Sequence, residues 1–126
     1  AKLEQRAQVY RWVLFAVTEL EQPLWRMTKH TFIYPEEKRI AKDIELARED
    51  FTAMAAVLER HMDGRQYIVG DRMSVADCGT AYLMDWANEQ QLLDGCPNLK
   101  AYLQRMYQRS TAPQRIAEAF ASIRAA

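Results

Sequence analysis

Few side chains in this sequence have the type and spacing that chemistry needs. His30 and His61 are its only imidazoles, and Cys78 and Cys96 its only thiols. Acid–base or nucleophilic catalysis would need one of them set against an oriented base, and no Ser-His-Asp order or His-Glu-x-x-His run suggests one. A dimetal carboxylate centre needs Glu-x-x-His on each of two helices, and the sequence contains none. Two cysteines are too few for a thiolate metal site or a disulfide framework. No catalytic residue and no metal ligand is therefore expected in this chain. Both histidines fall near helix ends, where a cationic side chain complements the last carbonyls. Cys78 follows a helix start, which can lower a thiol's pKa, but its place beside an apolar staple predicts burial and inertness. Cys96, before Pro97, reads as a small core residue.

The best-defined polar motif is structural. In the run Tyr67 to Cys78, an apolar strip and a Gly70-Asp71 turn lead into a helix start. Ser74 is a good N-cap, and Asp77, three residues on, can return its carboxylate to the Ser74 amide. The pair forms a capping box with Asp in place of the usual Glu or Gln, and Met73 and Cys78 occupy the staple positions around it. Asp77 is the one acidic side chain expected to be buried. Binding chemistry is suggested by Tyr10, Trp25, Phe32 and Tyr34, aromatic residues off the main apolar stripe or in a linker. They suit either a domain or subunit contact or a small-molecule pocket.

Five helices are needed to position these groups. The first spans about Lys2 to Thr28, with Val9, Trp12, Val13, Ala16, Leu20, Leu24 and Met27 as one apolar face. A second stripe, Tyr10, Leu14, Val17 and Trp25, lies on another side of the wheel with Thr18 and Glu21 between. Two stripes imply that this helix meets something besides its own bundle. Pro23 should kink it near Glu19. An apolar linker, His30 to Tyr34, precedes a second long helix starting at Pro35, with Ile40, Ile44, Ala47, Phe51, Met54, Leu58 and Met62 on one line and Gly64 as a left-handed cap. These two helices should pack antiparallel. The third, from Ser74 to about Gln90, turns Val75, Cys78, Gly79, Tyr82, Leu83 and Trp86 inward, Gly79 marking a close approach. A fourth opens at Cys96-Pro97 with Leu99, Tyr102, Leu103 and Met106. A last helix starts from a Thr111 capping box with Ile116, Phe120 and Ile123 inward.

With 126 residues the chain has the size of one domain, expected to span 1–126. Its 17 basic and 17 acidic residues cancel and form no block, so neither nucleic acid nor a membrane is an expected partner. The longest apolar run, Trp12 to Val17, is far too short to cross a bilayer. A cytoplasmic location is expected. With no alternating strand pattern and few Gly or Pro, the fold class is all-α: a five-helix bundle with two long antiparallel helices and a buried central one.

Five segments together carry a family resemblance: the first helix with Trp12 and Thr18-Glu19-Leu20, the long second helix, Gly70 to Asp77, Pro97 to Met106, and Arg109 to Pro113. The Gly-Asp-x-x-Ser-x-Ala-Asp run is the most specific of them. They resemble the C-terminal domain of bacterial glutathione transferases. The resemblance implies that glutathione, the co-substrate, and the catalytic Ser, Cys or Tyr belong to an N-terminal thioredoxin-like domain, no part of which these residues match. It carries no nucleophile, cofactor or glutathione contact over to this chain, which alone should be inactive. It implies instead that the first helix and the loop after it form the wall of a pocket for a hydrophobic electrophile. On this chain that wall is Tyr10, Leu14, Thr18, Glu21, Trp25 and Phe32. Some bacterial members follow Thr-Glu-Leu with a His-Lys pair that helps hold glutathione; here Glu21-Gln22 stand in its place. A homodimer is the expected full-length form. Two other readings use the same face. Similar helical domains appended to translation factors and aminoacyl-tRNA synthetases suggest an interaction module, and a free-standing helical carrier is the third.

Overall fold

Helix α1 occupies residues 3–33 without a break, but not in one geometry. In the computed structural model, which describes residues 2–126, α-helical Leu3–Phe15 passes into a π-helical stretch Ala16–Glu21, then α-helical Gln22–Thr28, then a second π stretch Lys29–Ile33. Ala1, the first residue of the expected domain, lies outside the described residues. Pro23 explains the first stretch: it has no amide hydrogen, and its ring would strike the carbonyl four residues back. Widening the preceding turn accommodates that defect, so the expected kink is realised as a π segment. The second stretch takes up His30 to Ile33, so most of the expected linker is helix.

After a single 3₁₀ turn at Glu36–Lys38, α2 runs over Ala41–His61. It does not begin at Pro35. The His30 imidazole accepts the Ile40 amide hydrogen at 3.1 Å, and Ile40 is held extended (φ −119°, ψ 100°), so the helix can start only after it. Ile40 is accordingly exposed, while Ala47, Phe51, Leu58 and Met62 of its expected stripe are buried. Gly64 closes the element with φ +69°, the left-handed geometry expected of it. Arg26 meets Asp43, Pro23 shares a depression with Asp50, and Trp12 stacks on His61, so the two long helices run antiparallel.

Helix α3, Val75–Glu89, is the central element and touches α1, α4 and α5. Its start is the capping box. The Ser74 amide donates to Asp77 Oδ2 at 2.9 Å, and Ser74 Oγ accepts from the Ala76 amide at 3.3 Å. Asp77, 0% exposed, does more than cap: its Oδ1 also accepts from the Ile68 amide at 3.0 Å and the Tyr102 hydroxyl at 3.1 Å. One carboxylate thereby joins the apolar strip, α3 and α4. Burial and the adjacent Asp77 charge hold the Tyr102 phenol well above its ordinary pKa.

Helix α4, Pro97–Tyr107, buries Leu99, Tyr102, Leu103 and Met106 as expected. Its first amides are capped from a distance, because Glu59 of α2 accepts from Asn98 and Leu99, each at 2.9 Å. Helix α5, Ile116–Ala125, departs most from expectation. Thr111 starts no helix, and its hydroxyl accepts from Arg109 instead. Asp85 draws the helix start to Arg115: its two oxygens accept from the Arg115 guanidinium and from the Ile116 amide, both at 2.8 Å. Asp85 is as buried as Asp77, so Asp77 is not the sole buried acid. No residue of α5 is buried, and Phe120 and Ile123 face outward rather than into a core. Among the described residues the architecture is all-α: five helices, with α3 packed against α1, α4 and α5.

Candidate functional site

Two apolar surfaces meet where α1 and α3 pack, and their outer edges are left uncovered. On α1, Tyr10, Leu14 and Val17 follow one another at helical spacing and are exposed, Leu14 by 63%. On α3, Val75, 62% exposed, Gly79 and Tyr82 lie on its outer side. This overturns the inward placement of Val75, Cys78, Gly79 and Tyr82. The face that α3 buries is instead Ala76, Asp77, Thr80, Ala81, Met84, Asp85 and Ala87, with Leu83 alone of the expected set. Small side chains, not large ones, let α3 sit at the centre. Gly79 marks no close approach either: a Cβ there would meet nothing within 4 Å.

Between the two surfaces runs a groove of roughly 120 Å³, with Val13 and Val17 on one side and Val75, Gly79 and Tyr82 on the other. Its one charged lining residue is Glu21. An aromatic run continues from it: Tyr82 lies 6.2 Å from Trp86, and Trp86 meets Trp25 edge-on at 6.3 Å. Exposed rings and branched apolar side chains around a narrow groove make a surface suited to an apolar ligand or partner.

Of the expected wall residues, Glu21 lines the groove and Trp25 meets Trp86 beside it, while Leu14 and Tyr10 are exposed one and two turns before Val17 and do not line the groove. Thr18 is separated from the groove. It lines a shallow depression on the α2 side with Gln22, Asp50 and Met54, and its hydroxyl donates to the Leu14 carbonyl at 2.9 Å. The π stretch is the reason: its wider turn changes the rotation per residue just where Thr18 lies. Phe32 is exposed on the second π stretch and lines neither the groove nor the depression. Val75, Gly79, Tyr82 and Trp86 belong to the face but were missed. Val75, Gly79, Tyr82 and Trp86 do recur at helical spacing, a signal of a shared side that does not say whether that side is covered.

The other polar groups are structural. Arg26 forks between Asp43 and Asp50, the latter at 2.7 Å, and these hydrogen bonds raise its pKa and lower that of Asp43. His30, buried, places Nε2 3.1 Å from Asp43. Neither histidine serves the carbonyls of its own helix end: His61 Nε2 lies 2.7 Å from the Ile68 carbonyl, and burial holds its pKa below the ordinary value. The Cys78 thiol is exposed, not buried in a staple, and borders a second groove with Met73, Met106 and Tyr107. Cys96 is half-buried, and burial raises its pKa, as fits an inert core thiol. Among the described residues, no group of three or more His, Cys, Asp or Glu could hold a metal, and no helix is long and apolar enough to cross a membrane.

The family model described as glutathione S-transferase, C-terminal domain, matches residues 22–110. The chain belongs to that family. Among curated relatives, this glutathione transferase domain is 28% identical over 102 residues to glutathione S-transferase GST-4.5 of Xanthomonas campestris pv. campestris, covering 80% of the chain and 50% of the relative. It is also 33% identical over 86 residues to elongation factor 1-gamma of Carassius auratus, covering 68% of the chain and 19% of that protein. In fold it is similar to the glutathione transferase URE2P5 of Phanerochaete chrysosporium, with a TM-score of 0.81 at 17% identity, over 98% of the chain and 59% of that structure. The chain thus spans about half the length of the Xanthomonas relative and about a fifth of elongation factor 1-gamma.

Proposed function

We propose that this domain supplies the apolar wall on which a small hydrophobic electrophile settles for attack by glutathione. The glutathione sulfur is held by a thioredoxin-like domain elsewhere in the same polypeptide. The observation that carries this reading is the uncovered face of Val17, Val75 and Tyr82 around the α1–α3 groove, continued along α1 by the exposed Leu14. With no oriented base or nucleophile in it, that face contributes binding and orientation, which alone can lower a bimolecular barrier substantially. Tyr10 and Trp25 extend the wall, while Thr18 and Phe32 lie outside the groove. A cytoplasmic homodimer is the full-length form in this reading. The test is kinetic. In the full-length protein, Leu14→Ala with Val17→Ala should raise the KM for an uncharged aryl halide by roughly fivefold, the scale of the apolar area removed, and leave the KM for glutathione unchanged. An unchanged electrophile KM would overturn the assignment.

The likeness to elongation factor 1-gamma favours one other reading, in which the same face docks a partner protein. Leu14→Asp would then release a bound protein while leaving conjugation kinetics as they were.

A further inference from the structure

The segment between the two long helices carries a helix start that the fold does not use. Pro35 suits a first helical position, and Glu36 and Glu37 would face the positive end of a helix that began there. Ile40 would then join Ile44, Ala47 and Phe51 on the apolar line of α2. Instead Glu36–Lys38 form one 3₁₀ turn, Arg39 and Ile40 are extended, and α2 begins at Ala41. The start it does use is a poor one. Ile40 stands at the N-cap with no side-chain hydrogen bond to offer, and it is 55% exposed.

Two hydrogen bonds hold the segment in this form. The Ile40 amide donates to His30 Nδ1 at 3.1 Å, and Arg39 Nε donates to the Tyr34 carbonyl at 2.8 Å. The first excludes the longer helix, in which the Ile40 amide would donate to the Glu36 carbonyl. It also fixes the state of the buried imidazole. An amide can donate only to an unprotonated nitrogen, so Nδ1 keeps its lone pair and Nε2 carries the hydrogen, directed at Asp43 from 3.1 Å. A proton arriving at Nδ1 would set donor against donor and break the Ile40 bond. The charged groups around the ring are Asp43 of α2 and, beyond it on α1, Arg26, which forks to Asp43 and Asp50. Lys29 lies over the Tyr34 ring at 5.9 Å, and that ring meets the imidazole edge-on at 5.0 Å. Hydrogen bonding to Arg26 holds Asp43 below the usual carboxylate range, so Asp43 stays ionised as a partner for a charged imidazole.

We propose that His30 is a proton-sensitive latch on residues 35–40: neutral, it holds them extended, and protonated, it releases them to lengthen α2 back toward Pro35. The segment is the bistable element, and one charge gained on a buried imidazole is the event that biases it. In the released form Nε2 remains on Asp43, Ile40 turns onto the stripe beside Ile44, and Glu36 and Glu37 occupy the first turn. The latch lies apart from the α1–α3 groove and does not depend on what that groove holds.

Nuclear magnetic resonance of the 126-residue chain between about pH 8 and about pH 5 tests it. At the higher pH a scalar coupling should cross the hydrogen bond from the Ile40 amide to His30 Nδ1, and the Cα shifts of Arg39 and Ile40 should be those of extended chain. As the pH falls, that coupling should vanish in step with the nitrogen shift of Nδ1, while both Cα shifts move to helical values. The ratio of helical to extended forms should rise at least about tenfold, the scale of one net hydrogen bond. His30→Asn, whose Oδ1 can accept the Ile40 amide but gains no proton, should remain extended at both pH values. His30→Phe, a ring with no acceptor, should be helical there at both. A coupling that outlasts protonation of Nδ1, or an imidazole that takes up no proton across the range, would overturn the latch. So would Cα shifts at residues 39–40 that ignore pH in the unaltered chain, or that stay extended in His30→Phe.

Discussion

On its inner side α3 carries Asp77 and Asp85, both 0% exposed and each holding at least three hydrogen bonds. On its outer side the same helix carries Val75, Gly79 and Tyr82, largely exposed with no partner over them. Two charges thus lie inside, among Ala76, Ala81, Leu83, Met84 and Ala87, while hydrocarbon also lies outside, and both placements depart from the usual partition. The two sides therefore have different explanations. A buried carboxylate is tolerable only when every oxygen is occupied, so the inner acids are joints that fasten other segments to α3. Exposed hydrocarbon contributes little to this fold, so its arrangement around a groove points to something the domain meets.

Breaking a joint should have the largest effect. Asp77→Ala leaves the Ile68 amide and Tyr102 hydroxyl unpaired in a dry place and removes the α3 cap, a loss of about 3 kcal/mol. Chemical denaturation measures it, and a loss under about 1 kcal/mol would mean that the hub is not formed. Asp85→Ala should cost less, about 2 kcal/mol, and locally. Amides of residues 116–125 should exchange hydrogen much faster while those of α4 keep their protection, because α5 has no buried residue to hold it otherwise. Uniform loss of protection would instead make Asp85 part of the common core. On the outer side, Leu14→Ala with Val17→Ala should change stability by no more than about 0.5 kcal/mol, as for exposed positions generally. A loss above about 1.5 kcal/mol would show that the face is covered in the isolated domain.

Much of this molecule was legible in its residues. Helical periodicity marked the inner stripe of α1, and Leu99, Tyr102, Leu103 and Met106 of α4, because those positions are apolar on one side only. Ser74 and Asp77 were readable because a cap and its partner are three residues apart. Partners distant in sequence were not: Tyr102 on Asp77, Glu59 on the α4 amides and Arg115 on Asp85 are 25, 39 to 40, and 30 residues apart. Thr18 was misplaced because the π stretch alters the rotation that the helical wheel assumes constant. Phe120 and Ile123 were assigned inward because apolar spacing describes a side of α5 without revealing whether anything lies against it.

By itself the sequence determined the fold class, the order of the five helices, the cap on α3 and the existence of a second apolar stripe on α1. These follow from interactions within a few residues, whose geometry the chain fixes locally. Only the tertiary structure decided which side of α3 is buried, that α5 hangs from one carboxylate, and that Glu21 shares a groove with Val75 and Tyr82. Small side chains on α3 let its neighbours close on Ala76, Thr80 and Ala87, and that choice of contact left Val75 and Tyr82 outside.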